Sequence, residues 1–137
     1  MMAQDRAIAM LTAFCEASGE GPEARRGVIW SMRNRRDLDP GRYGSTLAAV
    51  CLKRAQYSEW NGDSVDNRNL ERAATCPDSD PVMLDCGLAY DEMISGHQDP
   101  TNGATHFYAK SIPTPYWTAQ ATLCATLGNL LFWKDVP

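Results

Sequence analysis

Residues 14–35 read FCEASGEGPEARRGVIWSMRNR, and the break inside this stretch decides the fold. Upstream of it, Ala7, Leu11, Phe14 and Cys15, with Ile8 and Met10 beside them, recur at helical spacing. The pattern predicts a helix over 3–16 with one buried face. Ser18-Gly19 is a helix stop. Gly21-Pro22 starts a second helix, with Pro22 in its first turn and Glu23 at its positive end. The apolar positions of that helix are Ala24, Val28, Ile29 and Met32, and Gly27 permits close packing. Arg25, Arg26, Arg33 and Arg36 read as its solvated face. DLDPG ends it.

Outward from this pair, Ser45 is the expected N-cap of a short helix over 46–52. AQYSEWN then reads as a short strand or an extended loop, and the polar run 61–80 as loop with a short helix inside 66–75. Asp80-Pro81 opens a helix over 81–95, with Val82, Cys86, Ala89, Tyr90 and Met93 on its inner side. HQDPTNGATHFYA is a turn feeding a strand, and KSIPTPYW a proline-bearing loop. TLCATL and LLFW, joined by Gly128-Asn129, form a predicted hairpin. Helices first and a little antiparallel sheet near the end define an α+β protein.

A chain of 137 residues fits one domain, read as 1–137. Net charge is −4, which argues against nucleic acid or an anionic membrane as partner. The N-terminus lacks the basic leader of a secretory signal, and no apolar run approaches a membrane span. The expected product is a monomer made in the cytoplasm that reaches any outside target only after release. The five cysteines, Cys15, Cys51, Cys76, Cys86 and Cys124, read mainly as small buried hydrophobes; Cys76 and Cys86 flank a turn-rich stretch where a pairing is conceivable. With only His97 and His106 beside them, no zinc-ligand spacing emerges, so neither metal nor cofactor is expected.

Glu16 is the candidate catalytic residue. It falls at the C-terminal end of an apolar helix, where the helix dipole and burial both disfavour the carboxylate. A carboxyl still protonated near neutral pH is what protonating a glycosidic oxygen requires. Ordinary glycosidases add a second carboxylate. Glu20 and Glu23 are the near candidates; Glu23 suits a helix N-terminus, and Glu20 is read equally as a site partner or as a brace for the turn. Sugar-binding chemistry is offered by Tyr57, Trp60, Tyr108, Tyr116 and Trp117, whose ring faces stack on sugars, and by Gln56, Ser58, Asn61 and Thr105, which bond hydroxyl and acetamido groups. Phe107, Phe132 and Trp133 read as core. His106 reads more as a structural hydrogen-bonder than as a catalyst, and is kept as a candidate substrate contact.

These residues carry a family resemblance. The stretch CEASGEGPEARRGVIWSMRNR resembles the GEARGE–P–EGQ–A–V–NR pattern of the SleB-type cell wall hydrolases, the family of the spore cortex-lytic enzymes, with Glu16, Gly19, Glu20, Glu23, Val28, Asn34 and Arg35 in register. Gln56-Tyr57-Ser58-Glu59-Trp60-Asn61 resembles its QFS-WN block. Asp99-Pro100-Thr101-Asn102-Gly103-Ala104, followed by His106-Phe107-Tyr108, resembles its DPT-GA-YY segment. Pro115-Tyr116-Trp117, then Leu127-Gly128-Asn129 and Phe132-Trp133, resembles its closing pattern. Four blocks in order cover most of 7–134. The departures are Cys15 for the glycine before the glutamate, Ser18 for an arginine, and Ala24-Arg25 for a glycine-glutamine pair.

The resemblance implies a lysozyme-like fold, a peptidoglycan glycan strand as substrate, and Glu16 as the catalytic acid. Relatives of the cortex-lytic type act as lytic transglycosylases, which dispense with a second carboxylate because the muramic C6 hydroxyl closes onto C1. A catalytic domain without an evident export signal suggests a phage endolysin released through a holin, or a virion-associated lysin. The alternatives are a hydrolytic muramidase, a zinc amidase for which ligands are lacking, and a non-catalytic wall-binding or virion structural protein.

Overall fold

The computed structural model describes residues 2–53, 57, 60 and 67–137. Among these residues six helices precede a small sheet: α1 (Met2–Ala17), α2 (Pro22–Leu38), α3 (Pro40–Tyr43), α4 (Leu47–Leu52), α5 (Asn67–Thr75) and α6 (Pro81–Ile94), then β1 (His106–Ala109), a 3-10 turn (Tyr116–Gln120), β2 (Thr122–Leu127) and β3 (Leu130–Lys134). The α+β expectation holds.

Helix boundaries follow the local chemistry. Pro22 occupies the first turn of α2, where a missing N–H costs no intrahelical bond. Asp39 caps α3 by accepting from Arg42 N, and Asp80 caps α6 by accepting from Val82 N and Met83 N. The cap of α4 is Thr46, not Ser45: its side chain accepts from Ala49 N, and the helix begins one residue later than expected. Asp5 reaches the same helix start, accepting from Ala48 N at 3.0 Å.

Helix α1 is the central pillar, packed against α2, α4, α5 and α6. Its buried face is Ala9, Thr12, Ala13, Phe14 and Ala17. This corrects the expected stripe, since Ala7 is exposed and Leu11 and Cys15 are only half-buried. A pillar contacted from several sides buries its smallest residues, because alanine lets the neighbouring helices approach. Of the four arginines expected in solvent on α2, Arg25 is buried and Arg26, Arg33 and Arg36 are half-buried. No disulfide links the cysteines.

The sheet order is β1-β3-β2, all antiparallel. The predicted hairpin turns at Gly128, whose φ of +59° suits glycine. Register pairs Phe107 with Phe132 and His106 with Trp133, so alternation puts Phe107 and Phe132 on one face and His106, Tyr108 and Trp133 on the other. The first face packs onto α2. A Cβ placed on Gly27 would stand 2.5 Å from Phe132 Cζ, so only glycine admits the sheet this closely. The core expectation holds for Phe132; Phe107 and Trp133 remain half-buried.

Candidate active site

Glu16 stands half-buried on the last turn of α1. Two aromatic residues approach that end of the helix. Trp60 donates its indole N–H to Thr12 Oγ1 at 2.8 Å, and Thr12 lies four residues before Glu16 on the same side of α1. Tyr57 lies within the electrostatic reach of Glu16. Its hydroxyl is 3.1 Å from Ser31 Oγ, its ring is tilted against Phe107, and the Arg35 guanidinium lies 4.9 Å from the ring centre. Burial pushes the phenol well above its ordinary pKa, with Arg35 pulling the other way, so Tyr57 remains a neutral hydroxyl.

The break after Glu16 is held from two directions. Arg25 donates Nη1 to the carbonyls of Glu20 at 2.6 Å and Ala17 at 3.5 Å, and donates Nε to Asp85 at 2.7 Å. It thereby satisfies carbonyls at the C-terminal end of α1 with a cation, itself balanced by an anion from α6. Arg25 thus offsets part of the negative end of the α1 dipole beside Glu16. Asp85 also accepts from Arg26, which reaches Glu92, and Glu92 lies 3.3 Å from His97 Nδ1.

Glu20 is the second brace. Its Oε1 accepts from Asn129 N at 2.8 Å, tying the α1–α2 break to the hairpin turn 109 residues later. A Cβ on Gly128 would come within 2.6 Å of the same oxygen. This contact is the one that the bracing reading of Glu20 calls for.

The structure redistributes the other candidates. Tyr57 is 1% exposed, its ring closed off by Phe107 and the Arg35 guanidinium. Thr105 is 3% exposed; its carbonyl takes the Nε of Arg35 and its hydroxyl is 2.9 Å from His106 Nδ1, so it too is occupied internally. Gln56, Ser58 and Asn61 lie outside the described residues. His106 and Tyr108 belong to the outer face of the sheet, clustered with Trp117 and Trp133 at ring separations of 5.2–6.2 Å. Burial, with Arg35 and Arg42 nearby, pushes His106 down to about 3, so it is a neutral ring at physiological pH. Among the described residues no group of three or more acids, histidines and cysteines is placed to hold a metal.

Thr12, Ser31 and Arg25 are residues that sequence reasoning missed. Thr12 had a signal: a lone polar residue within an apolar stripe, one helical turn from the candidate acid. Arg25 had none, because its carboxylate partner lies 60 residues away.

Comparison with solved structures gives two likenesses. The catalytic domain of the Bacillus cereus SleB protein matches with a TM-score of 0.73 at 17% identity, covering 96% of this chain and 91% of that one. The catalytic domain of the germination-specific lytic transglycosylase SleB from Bacillus anthracis matches with a TM-score of 0.73 at 18% identity, covering 96% and 94%. At these identities the match establishes the fold, which is that of the SleB catalytic domain. No curated protein matches the chain. The family model of the cell wall hydrolases matches residues 19–133, beginning just after Glu16 and taking in Glu20, Arg25, Arg35 and all of the sheet but Lys134. Spanning most of the chain, that match places this protein in the cell wall hydrolase family.

Proposed function

We propose that the protein cleaves the glycan strand of peptidoglycan at the MurNAc–GlcNAc β-1,4 bond as a lytic transglycosylase, with Glu16 as its single acid and base. The observation that carries this reading is the placement of Glu16 on the last turn of α1, one turn beyond the Thr12 that Trp60 bonds and within electrostatic reach of Tyr57, while its nearest acidic neighbour in sequence, Glu20, is engaged by the hairpin turn. Membership of the family and the name of the Bacillus anthracis relative support the substrate and the reaction class.

The Glu16 carboxyl gives its proton to the glycosidic oxygen as the bond from C1 to that oxygen breaks. The resulting carboxylate then takes the proton of the muramic C6 hydroxyl, whose oxygen bonds to C1. The product carries a 1,6-anhydro end, and Glu16 is returned to its acid form without water or a second carboxylate. The role that fits is a phage endolysin acting as a monomer, made in the host cytoplasm and meeting the wall after release.

The test is Glu16→Gln beside wild type on purified sacculi. Loss of general acid catalysis lowers the rate by on the order of a thousandfold. Clearing at the wild-type rate by the variant overturns the assignment. Mass spectrometry of the wild-type products decides the chemistry: anhydromuramyl ends are expected, and reducing ends would make the protein a hydrolytic muramidase.

A further inference from the structure

The sheet carries aromatic residues on both faces. The outer face gathers His106, Tyr108, Trp117 and Trp133. Beside them opens a pocket of about 280 Å³, lined by Arg42, His106, Tyr116, Trp117, Gln120 and neighbouring residues of the C-terminal segment. It lies at the end of β1 and β3 away from the hairpin turn that Glu20 holds, since His106 pairs with Trp133 and Ala109 with Leu130. Three to four residues of strand separate the two ends, roughly 10–13 Å.

The composition of this pocket is specific. Trp117 stands edge-on to Trp133 at 86° and to Tyr108 at 77°, which fixes its indole as a wall of the pocket. Tyr116 precedes it on the same 3-10 turn and is 92% exposed. Such exposure of a large ring contributes nothing to the core. Arg42 supplies a guanidinium, packed 4.7 Å from the Tyr43 ring and donating to Pro137 O, and Gln120 supplies an amide. Ring faces beside an amide and a guanidinium suit a sugar, whose C–H face stacks while its hydroxyl or acetamido oxygens accept. The volume, just below the roughly 300 Å³ at which drug-sized sites begin, suits one sugar ring.

The geometry points to a second glycan-binding site on the outer face of the sheet, with Tyr116 and Trp117 as its stacking surface and Arg42 and Gln120 as its polar contacts. This rests on the peptidoglycan reading and adds to it: the site holds the enzyme on the wall through a sugar unit distinct from the one being cleaved.

The experiment is cosedimentation with purified sacculi in the Glu16→Gln background, with and without Tyr116→Ala. Removing one stacking ring weakens binding by about 3- to 10-fold. Tyr116→Trp, which keeps a ring, restores it, and thermal melting is unchanged because Tyr116 supports no core. Equal sedimentation with and without Tyr116→Ala, while wild type digests the sacculi, overturns the second site and leaves the enzyme reading standing. If wild type neither digests nor binds sacculi, both fall.

Discussion

The two ends of α2 each bury an arginine, and they do so by different chemistry. At the N-terminal end Arg25 sits against Asp85, with Arg26, Glu92 and His97 extending the ion network. At the C-terminal end Arg35 lies 4.9 Å from the Tyr57 ring and 5.7 Å from the Tyr43 ring, and donates to the Thr105 carbonyl. Charge joins α2 to α6 beside the break that presents Glu16. Rings and a backbone carbonyl join α2 to the sheet beside the outer-face pocket. The first end is therefore sensitive to acid through its carboxylates, and the second through a histidine that resists protonation.

The largest effect comes from cutting the charged end. Asp85→Asn leaves Arg25 and Arg26 without the anion they share, and unfolding in denaturant is expected to show a loss of about 3 kcal/mol. Activity on sacculi falls with it, because Arg25 pins the carbonyls after Glu16. A loss below 0.5 kcal/mol, about that of an exposed pair, would show that this end is not held by charge.

The ring-held end is sharpened by pH. Burial raises the intrinsic cost of ionising Asp85, but the bonds from Arg26 and Arg25 win and hold its carboxyl below the ordinary range; Glu92 is lowered by Arg26. Their stabilisation is present above the unfolded carboxylate range near pH 4 and is lost as pH falls through the lower folded values. His106 acts in a higher window. Its folded value is pushed down to about 3 from an unfolded value near 6.5, so the unfolded chain takes up the proton first. Stability from His106 is full above about pH 6.5 and declines as pH falls toward 3. His106→Gln is expected to remove about 1 kcal/mol of the decline between pH 6.5 and 5, after discounting for partial exposure. An unchanged slope would mean that the ring protonates freely in the folded state.

The smallest expected effect belongs to Glu20. Glu20→Gln keeps an acceptor for Asn129 N and loses only its charge, a change under about 1 kcal/mol. Activity should stay within a few-fold of wild type. A loss as deep as that of Glu16→Gln would move Glu20 from brace to chemistry.

Much of this fold was legible in local sequence. Pro22, Asp80-Pro81, Ser18-Gly19 and Gly128-Asn129 mark boundaries by backbone chemistry that needs no distant partner, and the elements begin and end within a residue or two of them. The buried face of α1 was misread because periodicity weights large apolar residues, whereas a helix surrounded by others buries alanines. The solvated reading of Arg25 failed for a related reason: an arginine's burial depends on whether a carboxylate comes to meet it.

By itself the sequence determined the α+β order, the helix–break–helix that presents Glu16, and the four blocks of family resemblance, because each rests on residues near one another in the chain. Tertiary structure decided the rest. It joined Glu20 to the hairpin turn through a contact 109 residues away, and split the aromatics between Tyr57 and Phe107 on the inner side of the sheet and the cluster on its outer face. Strand alternation tells which residues share a face, but which face meets the helices is settled only when Gly27 lets Phe132 in.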